Sequence, residues 1–215
     1  MGIVTALEFN TDRNKAHLYV DGVYALTVSI DLALESKLKT GMSVDDEYLE
    51  LLKKAGSVQR CNDAAYRLLA YRARSEQEIR ERLVKKGFSP ETVEKSLEHL
   101  KERGLINDRE FACQWAENRS KFKPQSAFLT RRELKEKGLS EEIIEEAVKD
   151  YDDYENALLA ARARAMKSAG EEFPVFQRRL GSFLQRRGFG YAVIKPVISR
   201  LWEESKEFQN SRQSL

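Results

Sequence analysis

The chain has 215 residues, 41% of them apolar and 33% charged, and its formal net charge is only +2. The apolar share is enough for folding and the charged share suits exposed helices, while the near-neutral balance excludes a protein that attracts polyanions over its whole surface. Two cysteines, Cys61 and Cys113, with no basic-then-apolar leader and no long apolar run, point away from a disulfide framework, a secretion signal or a membrane span. The expectation is a cytoplasmic protein with reduced thiols.

Residues 1–29 read as strands. Ile3 to Phe9 alternates in part and ends at the polar turn Asn10-Thr11-Asp12-Arg13-Asn14. His17 to Val20 is a second strand, Asp21-Gly22 is a hairpin signal, and Val23 to Val28 is a third. A three-stranded antiparallel meander can bury one face only against another element. A helix from about Asp31 to Leu38, stopped near Gly41, supplies that element. Asp45 caps a further helix through Lys54, which Gly56 ends.

From Val58 onward the strand signals vanish and helical periodicity takes over. A helix from Asp63 to Ala73 opens the first unit. Ser75, with Glu78 three residues later, forms a capping box for a second helix that stops at Gly87. Ser89 caps a third, with Pro90 in its first turn, the stripe Val93, Leu97 and Leu100, and a stop at Gly104. The second unit follows the same plan. Asp108 caps a helix through about Asn118 with Phe111, Ala112 and Trp115 inward, a helix runs from about Gln125 to Lys137, and Ser140 caps a third to about Asp150. The third unit begins near Asp153, with Ala157, Leu158, Ala161 and Ala165 on one side. It continues from Pro174 to Arg187 and closes from Gly190 to about Glu204. The polar stretch from Ser205 to Leu215 is expected to fray.

One phrase recurs in all three units. Leu83-Val84-Lys85-Lys86-Gly87-Phe88 matches Leu134-Lys135-Glu136-Lys137-Gly138-Leu139 and Leu184-Gln185-Arg186-Arg187-Gly188-Phe189. Six residues after each glycine come Val93, Ile144 and Ile194; ten after come Leu97, Val148 and Ile198. A period near fifty marks a repeat architecture, which offers an extended surface rather than one catalytic cleft. The expected fold is mainly α: tandem three-helix, helix-turn-helix-like repeats in an elongated curved array, preceded by a small three-stranded antiparallel β region with a helix. Its divisions are a strand-rich extension (1–57), three modules (58–104, 105–151 and 152–205) and a polar tail (206–215). A glycine where a helix hairpin reverses is a scaffold requirement, so helix-turn-helix outline alone does not imply base reading.

Catalysis needs clustered polar groups with tuned pKa values, and the supply is thin. His17 reads as a surface strand residue and His99 as a solvated helix residue. Neither has a cysteine or second histidine at ligand spacing, no zinc signature exists, and Gly22, Gly87 and Gly188 are isolated rather than part of a phosphate loop. Cys113, next to Ala112, reads as a small core residue. A protein that is not an enzyme, with no cofactor and no metal, is favoured.

Arginines are more informative. Arg67, Arg72 and Arg74 lie on or just after the first helix of module one, and Arg131-Arg132 stand in module two. Module three carries Arg162, Arg164, Arg178, Arg179, Arg186 and Arg187. Many of these can pair with neighbouring glutamates at about 0.2–0.5 kcal/mol per helical pair. That explains Arg178, Arg179, Arg186 and Arg187 less well, since no acid occurs between Glu172 and Glu203. Residues 1–60 carry 7 basic and 9 acidic side chains and residues 151–215 carry 11 and 8, so nucleic-acid contact leans toward the later modules. Positions 179 and 186 share a helix face, with 178 and 187 flanking it and Leu180, Phe183 and Leu184 opposite.

Tyr66-Arg67-Leu68-Leu69 followed by Arg72-Ala73-Arg74-Ser75-Glu76-Gln77-Glu78-Ile79 resembles the opening motif of the RecX regulatory proteins. Gly104-Leu105-Ile106-Asn107-Asp108-Arg109-Glu110-Phe111-Ala112 resembles the second motif of that family, and Arg132 to Gly138 and Arg187-Gly188-Phe189 fit the later ones. The strands, including Tyr19-Val20-Asp21-Gly22, look like the amino-terminal extension of some members. The resemblance spans essentially the whole chain and departs from the family at Asn107, where an acidic residue is common beside Asp108. It implies regulation of the bacterial recombinase RecA, in recombination, DNA repair and the SOS response: binding the RecA filament on single-stranded DNA and restraining its ATPase, strand-exchange and coprotease functions. A monomer without membrane contact is expected. Tyr66, Leu68, Leu69, Asp108, Phe111 and Ala112, with the turn glycines Gly87, Gly138 and Gly188, are expected to hold the modules together. Arg67, Arg72, Arg74, Arg131 and Arg132 are expected to meet the protein partner, and Arg178, Arg179, Arg186 and Arg187 nucleic acid. The alternatives are a regulator that binds DNA directly and a helical-repeat adaptor.

Overall fold

The computed structural model describes residues 1–213. Its first compact unit runs from Met1 to Ile106 and its second starts at Asn107. The first unit opens with β1 (Gly2–Asn10), β2 (Lys15–Val20) and β3 (Val23–Val28), then α1 (Ile30–Glu35), β4 (Ser43–Val44) and α2 (Asp46–Tyr71). The sheet order is β3-β2-β1-β4, with antiparallel pairing between β1 and β2, β2 and β3, and β1 and β4. β4 adds a strand to the expected three; two residues are too short to show alternation. Val4, Leu18, Leu26 and Val28 from the sheet meet Ala33, Leu38, Val44 and Leu52 in one buried cluster. His17 is half-buried rather than on the open surface, its Nδ1 lying 2.7 Å from the Thr27 hydroxyl.

The helix expected to stop at Gly56 does not stop. α2 runs unbroken from Asp46 to Tyr71, so the boundary expected at residue 57 falls inside a helix. Its first half covers the sheet. Its second half carries Cys61, Ala64 and Ala65 into the core of module one. Gly56 is buried where the helix crosses Val28 and Leu32, and tertiary packing overrides its weak helix propensity. A Cβ there would sit 3.6 Å from Val28 Cγ1 and 3.8 Å from Leu32 Cδ2, ordinary contact distances. Gly56→Ala is therefore expected to stabilise the first unit by about 0.5–1 kcal/mol, seen as a higher urea midpoint by circular dichroism. A lower midpoint would show that the crossing has no room for a methyl group.

Module one is completed by α3 (Glu76–Lys85) and α4 (Pro90–Glu102), capped by Ser75 and Ser89 as the sequence suggests. Ile79, Leu83, Val93, Leu97 and Leu100 are buried. The second unit holds α5 (Asp108–Phe122), α6 (Ala127–Glu136) and α7 (Glu141–Val148), then α8 (Asp153–Lys167), α9 (Phe173–Arg186) and α10 (Tyr191–Gln213). α10 continues through most of the stretch expected to fray; residues 214–215 lie outside the described residues. Module two closes on Phe111, Ala112, Leu134, Leu139, Ile144 and Val148. Module three has the larger core, including Phe176, Leu180, Leu184, Ile194, Ile198 and Leu201. Cys113, expected in the core, is exposed, because the buried stripe of α5 passes through Phe111, Ala112 and Ala116.

Candidate partner and nucleic-acid interface

The repeat places an arginine–glutamate pair at fixed points around two of its three glycine turns. Seven residues before Gly87, Arg80 on α3 donates through Nε (2.8 Å) and Nη2 (3.0 Å) to Glu94 on α4, seven residues after it. Module two has the same strut: Arg131 Nε and Nη2 reach Glu145 at 2.6 and 3.0 Å. Such two-donor pairs are the strong form of the arginine–carboxylate contact. In module three the same places hold Gly181 and Lys195, so that strut is absent.

A second charge pair distinguishes the later modules. Asn107 and Asp152 cap α5 and α8 alike, each side chain accepting from the amides two and three residues on. That equivalence aligns Arg119 with Arg164. In module two, Arg119 Nε donates to Glu133 at 2.7 Å, and Trp115 Nε1 donates to the same carboxylate at 3.0 Å. The Arg119 guanidinium lies 4.5 Å from the Trp115 ring centre. Burial alone would push the Glu133 carboxyl up, but the hydrogen bonds from Arg119 and Trp115 outweigh it and hold it below the ordinary carboxylate range. Aligned through the glycine turn, Glu133 becomes Phe183. The Arg164 and Arg187 guanidinium carbons lie 4.5 and 4.8 Å from the Phe183 ring centre.

Most of the arginines expected at a partner surface are engaged within the chain. Arg67 is exposed. Arg72 ends α2 and grips Glu78 at 2.8 and 3.3 Å, and its Nη1 also reaches the Ala73 carbonyl at 2.9 Å. Arg74 is only 7% exposed, and its Nε donates to the Leu68 carbonyl at 3.1 Å. It satisfies an orphan carbonyl at the helix end rather than facing outward, which corrects its expected place. Arg131 belongs to the strut with Glu145, and Arg132 pairs with Glu136 at 3.2 Å on an exposed helix face.

The four arginines of α9 and its end do not form one surface. Arg178 and Arg186 are exposed and carry no ion pair among the described residues, whereas exposed Arg179 pairs with Glu171. Arg187 is half-buried. Its Nη1 donates to the Pro124 carbonyl at 2.7 Å and its own carbonyl accepts from the Ser126 amide at 3.0 Å. Burial, and after it the like charge of Arg164, lower the Arg187 pKa from its usual value, yet a guanidinium stays charged. Arg187 thus joins module three to module two. The seam also includes Asp153 accepting from the Ala127 amide at 2.7 Å and Ser120 donating to Asn156 at 2.7 Å.

The residues expected to be structural sit inside their own modules. Leu68 and Leu69 edge the first core and Phe111 and Ala112 enter the second. The Tyr66 hydroxyl lies 3.0 Å from His99 Nε2, so His99 is not simply solvated. Asn107, not Asp108, is the cap of α5; Asp108 begins the helix. Gly87, Gly138 and Gly188 have φ of 92°, 79° and 83°, the left-handed conformation that ends a helix. Nothing in the local sequence marks Arg119, and Arg164 stands out only as one arginine of module three; aligning the first helices by their caps brings the two to the same repeat position. Among the described residues no group of three or more His, Cys, Asp or Glu could hold a metal, and no helix is long and apolar enough to cross a membrane.

Family models match each module in turn: the RecX first three-helix domain at residues 61–100, the second at 107–148 and the third at 150–198. Regulatory protein RecX of Clostridium botulinum (strain Alaska E43 / Type E3) is 28% identical over 204 residues, covering 92% of this chain and 95% of the relative. That of Geobacillus thermodenitrificans (strain NG80-2) is 30% identical over 202 residues, covering 91% and 75%. A crystal structure of regulatory protein RecX superposes with a TM-score of 0.73 at 20% identity, covering 92% of this chain and 98% of the other. That of RecX from Lactobacillus salivarius gives 0.61 at 21% identity, covering 68% and 97%. At these identities the two structures bear on the fold alone.

Proposed function

The chain belongs to the RecX family of regulatory proteins, and we propose that it regulates the bacterial recombinase RecA by binding the RecA filament on single-stranded DNA. There it restrains ATP hydrolysis, strand exchange and coprotease activity. As a member of this family it is a non-enzymatic regulator.

The observation that carries the reading is the succession of three family modules along one chain, each with its own small core and its own exposed helix faces. A repeat of this kind suits a polymeric target, since contacts made by linked modules add through effective concentration. In the first unit Arg67, with Arg72 partly available beside it, faces the protein component, and in the second unit Arg132 does so independently; Arg178 and Arg186 face nucleic acid. Arg131 and Arg74 support these surfaces from within.

The test is RecA ATPase on single-stranded DNA titrated with the full chain. The expected result is a progressive loss of ATP hydrolysis and of strand exchange, with the filament still visible by electron microscopy at the lowest inhibitory ratios. Unchanged ATPase at saturating protein would reject the reading. A footprint on a defined duplex without RecA would favour a regulator that binds DNA directly.

A further inference from the structure

We propose that Arg164, held on Phe183 beside Arg187, is an oxyanion site for a phosphodiester of nucleic acid. The inference deepens the filament reading by naming a contact and its chemistry; only the identity of the nucleic acid met in the cell rests on that reading.

The inference starts from the difference between modules two and three. Module two neutralises its arginines internally: Arg119 with Glu133 and Arg131 with Glu145. Module three has lost both carboxylates at the same repeat positions, to Phe183 and Lys195. No acid occurs anywhere from residue 173 to residue 202, and among the described residues neither Arg164 nor Arg187 makes an ion pair. Two guanidiniums nevertheless lie within 4.8 Å of one ring centre. The negative face of the ring favours cations, and stacking restricts the rotamers of a side chain that is otherwise costly to order. The arrangement brings like charges together and leaves the outer donors of exposed Arg164 available. An anion offsets that repulsion and accepts from a fork already in place.

The chemistry favours phosphate in a polymer. Arg186, three residues after Phe183 on α9, is also exposed and without an ion pair among the described residues. Unneutralised arginines on two neighbouring helices match a chain with an anion on every unit. A protein surface, by contrast, mixes carboxylates with cations. Arg187 is fixed by the Pro124 carbonyl, so it contributes field and orientation, and Arg164 makes the direct contact.

The test uses the full chain, a fluorescent 20-nucleotide oligo-dT and anisotropy at several salt concentrations. Arg164→Gln is expected to weaken binding about three- to tenfold at low salt and to reduce the log–log salt slope by about 0.7, the loss of one phosphate on a single strand. Phe183→Glu rebuilds the module-two pair by placing a carboxylate beneath Arg164, and is expected to weaken binding at least as much. Arg162→Gln, on the same helix but already paired with Glu204 at 3.2 Å, should leave the slope unchanged. If Phe183→Glu does not fold, Arg164→Gln on its exposed side chain still decides. No binding of oligo-dT by the parent chain, or an unchanged slope in Arg164→Gln, overturns the proposal. Weaker binding of Arg164→Gln to RecA filaments with an unchanged oligo-dT slope also overturns it, assigning Arg164 to a protein carboxylate. A reduced oligo-dT slope in a protein that leaves RecA ATPase untouched supports the site and rejects the filament reading.

Discussion

Gly188→Ala is expected to destabilise the second unit by roughly 2–5 kcal/mol, whereas Gly87→Ala should cost the first unit only about 1–2 kcal/mol. Both glycines end a helix with positive φ, 83° and 92°, so both substitutions pay the left-handed penalty of an L-residue. Their surroundings differ. A Cβ on Gly87 meets nothing within 4 Å. A Cβ on Gly188 would lie 2.9 Å from Leu129 Cβ and closer still to the Ser126 hydroxyl, against the first turn of α6. The Ser126 hydroxyl caps that helix and its amide bonds to the Arg187 carbonyl, so the clash cannot be relieved without loosening the seam between modules two and three. Urea denaturation of both variants checks this, with tryptophan fluorescence for Gly188 and circular dichroism for Gly87. Equal costs would mean that the seam is not closely packed at Gly188.

Phe176→Ala is expected to lower the stability of the second unit by about 3–5 kcal/mol. Phe176 is fully buried in the core of module three and meets Trp202 edge-on, with ring centres 5.0 Å apart. Truncation removes both the transfer energy of the ring and its aromatic contact, and the surrounding Leu180, Leu201 and Ile198 cannot fill the space from fixed helices. Both tryptophans of the chain, Trp115 and Trp202, belong to the second unit. Their fluorescence should therefore report the early transition of the variant, while circular dichroism shows a second transition from residues 1–106. A single coincident transition by both probes would show that the two units unfold together.

Local signals in the sequence were legible wherever the chain itself supplies both partners. Ser75 and Ser89 cap α3 and α4 by accepting from the amides three residues on, and Asp21-Gly22 turns the hairpin between β2 and β3. The glycine-turn phrase located three helix reversals and the buried positions after each. The signals misled where the deciding partner lies far away in sequence. Gly56 reads as a stop, but Val28 and Leu32 cover it and α2 passes through. Cys113 shares a helix with core residues but projects from the wrong face. Arg74 reads like its exposed neighbours but turns back onto the Leu68 carbonyl.

Periodicity, caps and turn residues are short-range chemistry, and they alone determined the three helical modules, their order and the strand-rich start. Which arginines remain available depends on side chains tens of residues away. Arg131 is taken by Glu145, Arg187 by Pro124, and Arg164 is left stacked on Phe183 because no carboxylate occupies the position that Glu133 holds in module two. Neutralising a charge needs a partner within a few ångströms, and only the packed helices decide which residues come that close.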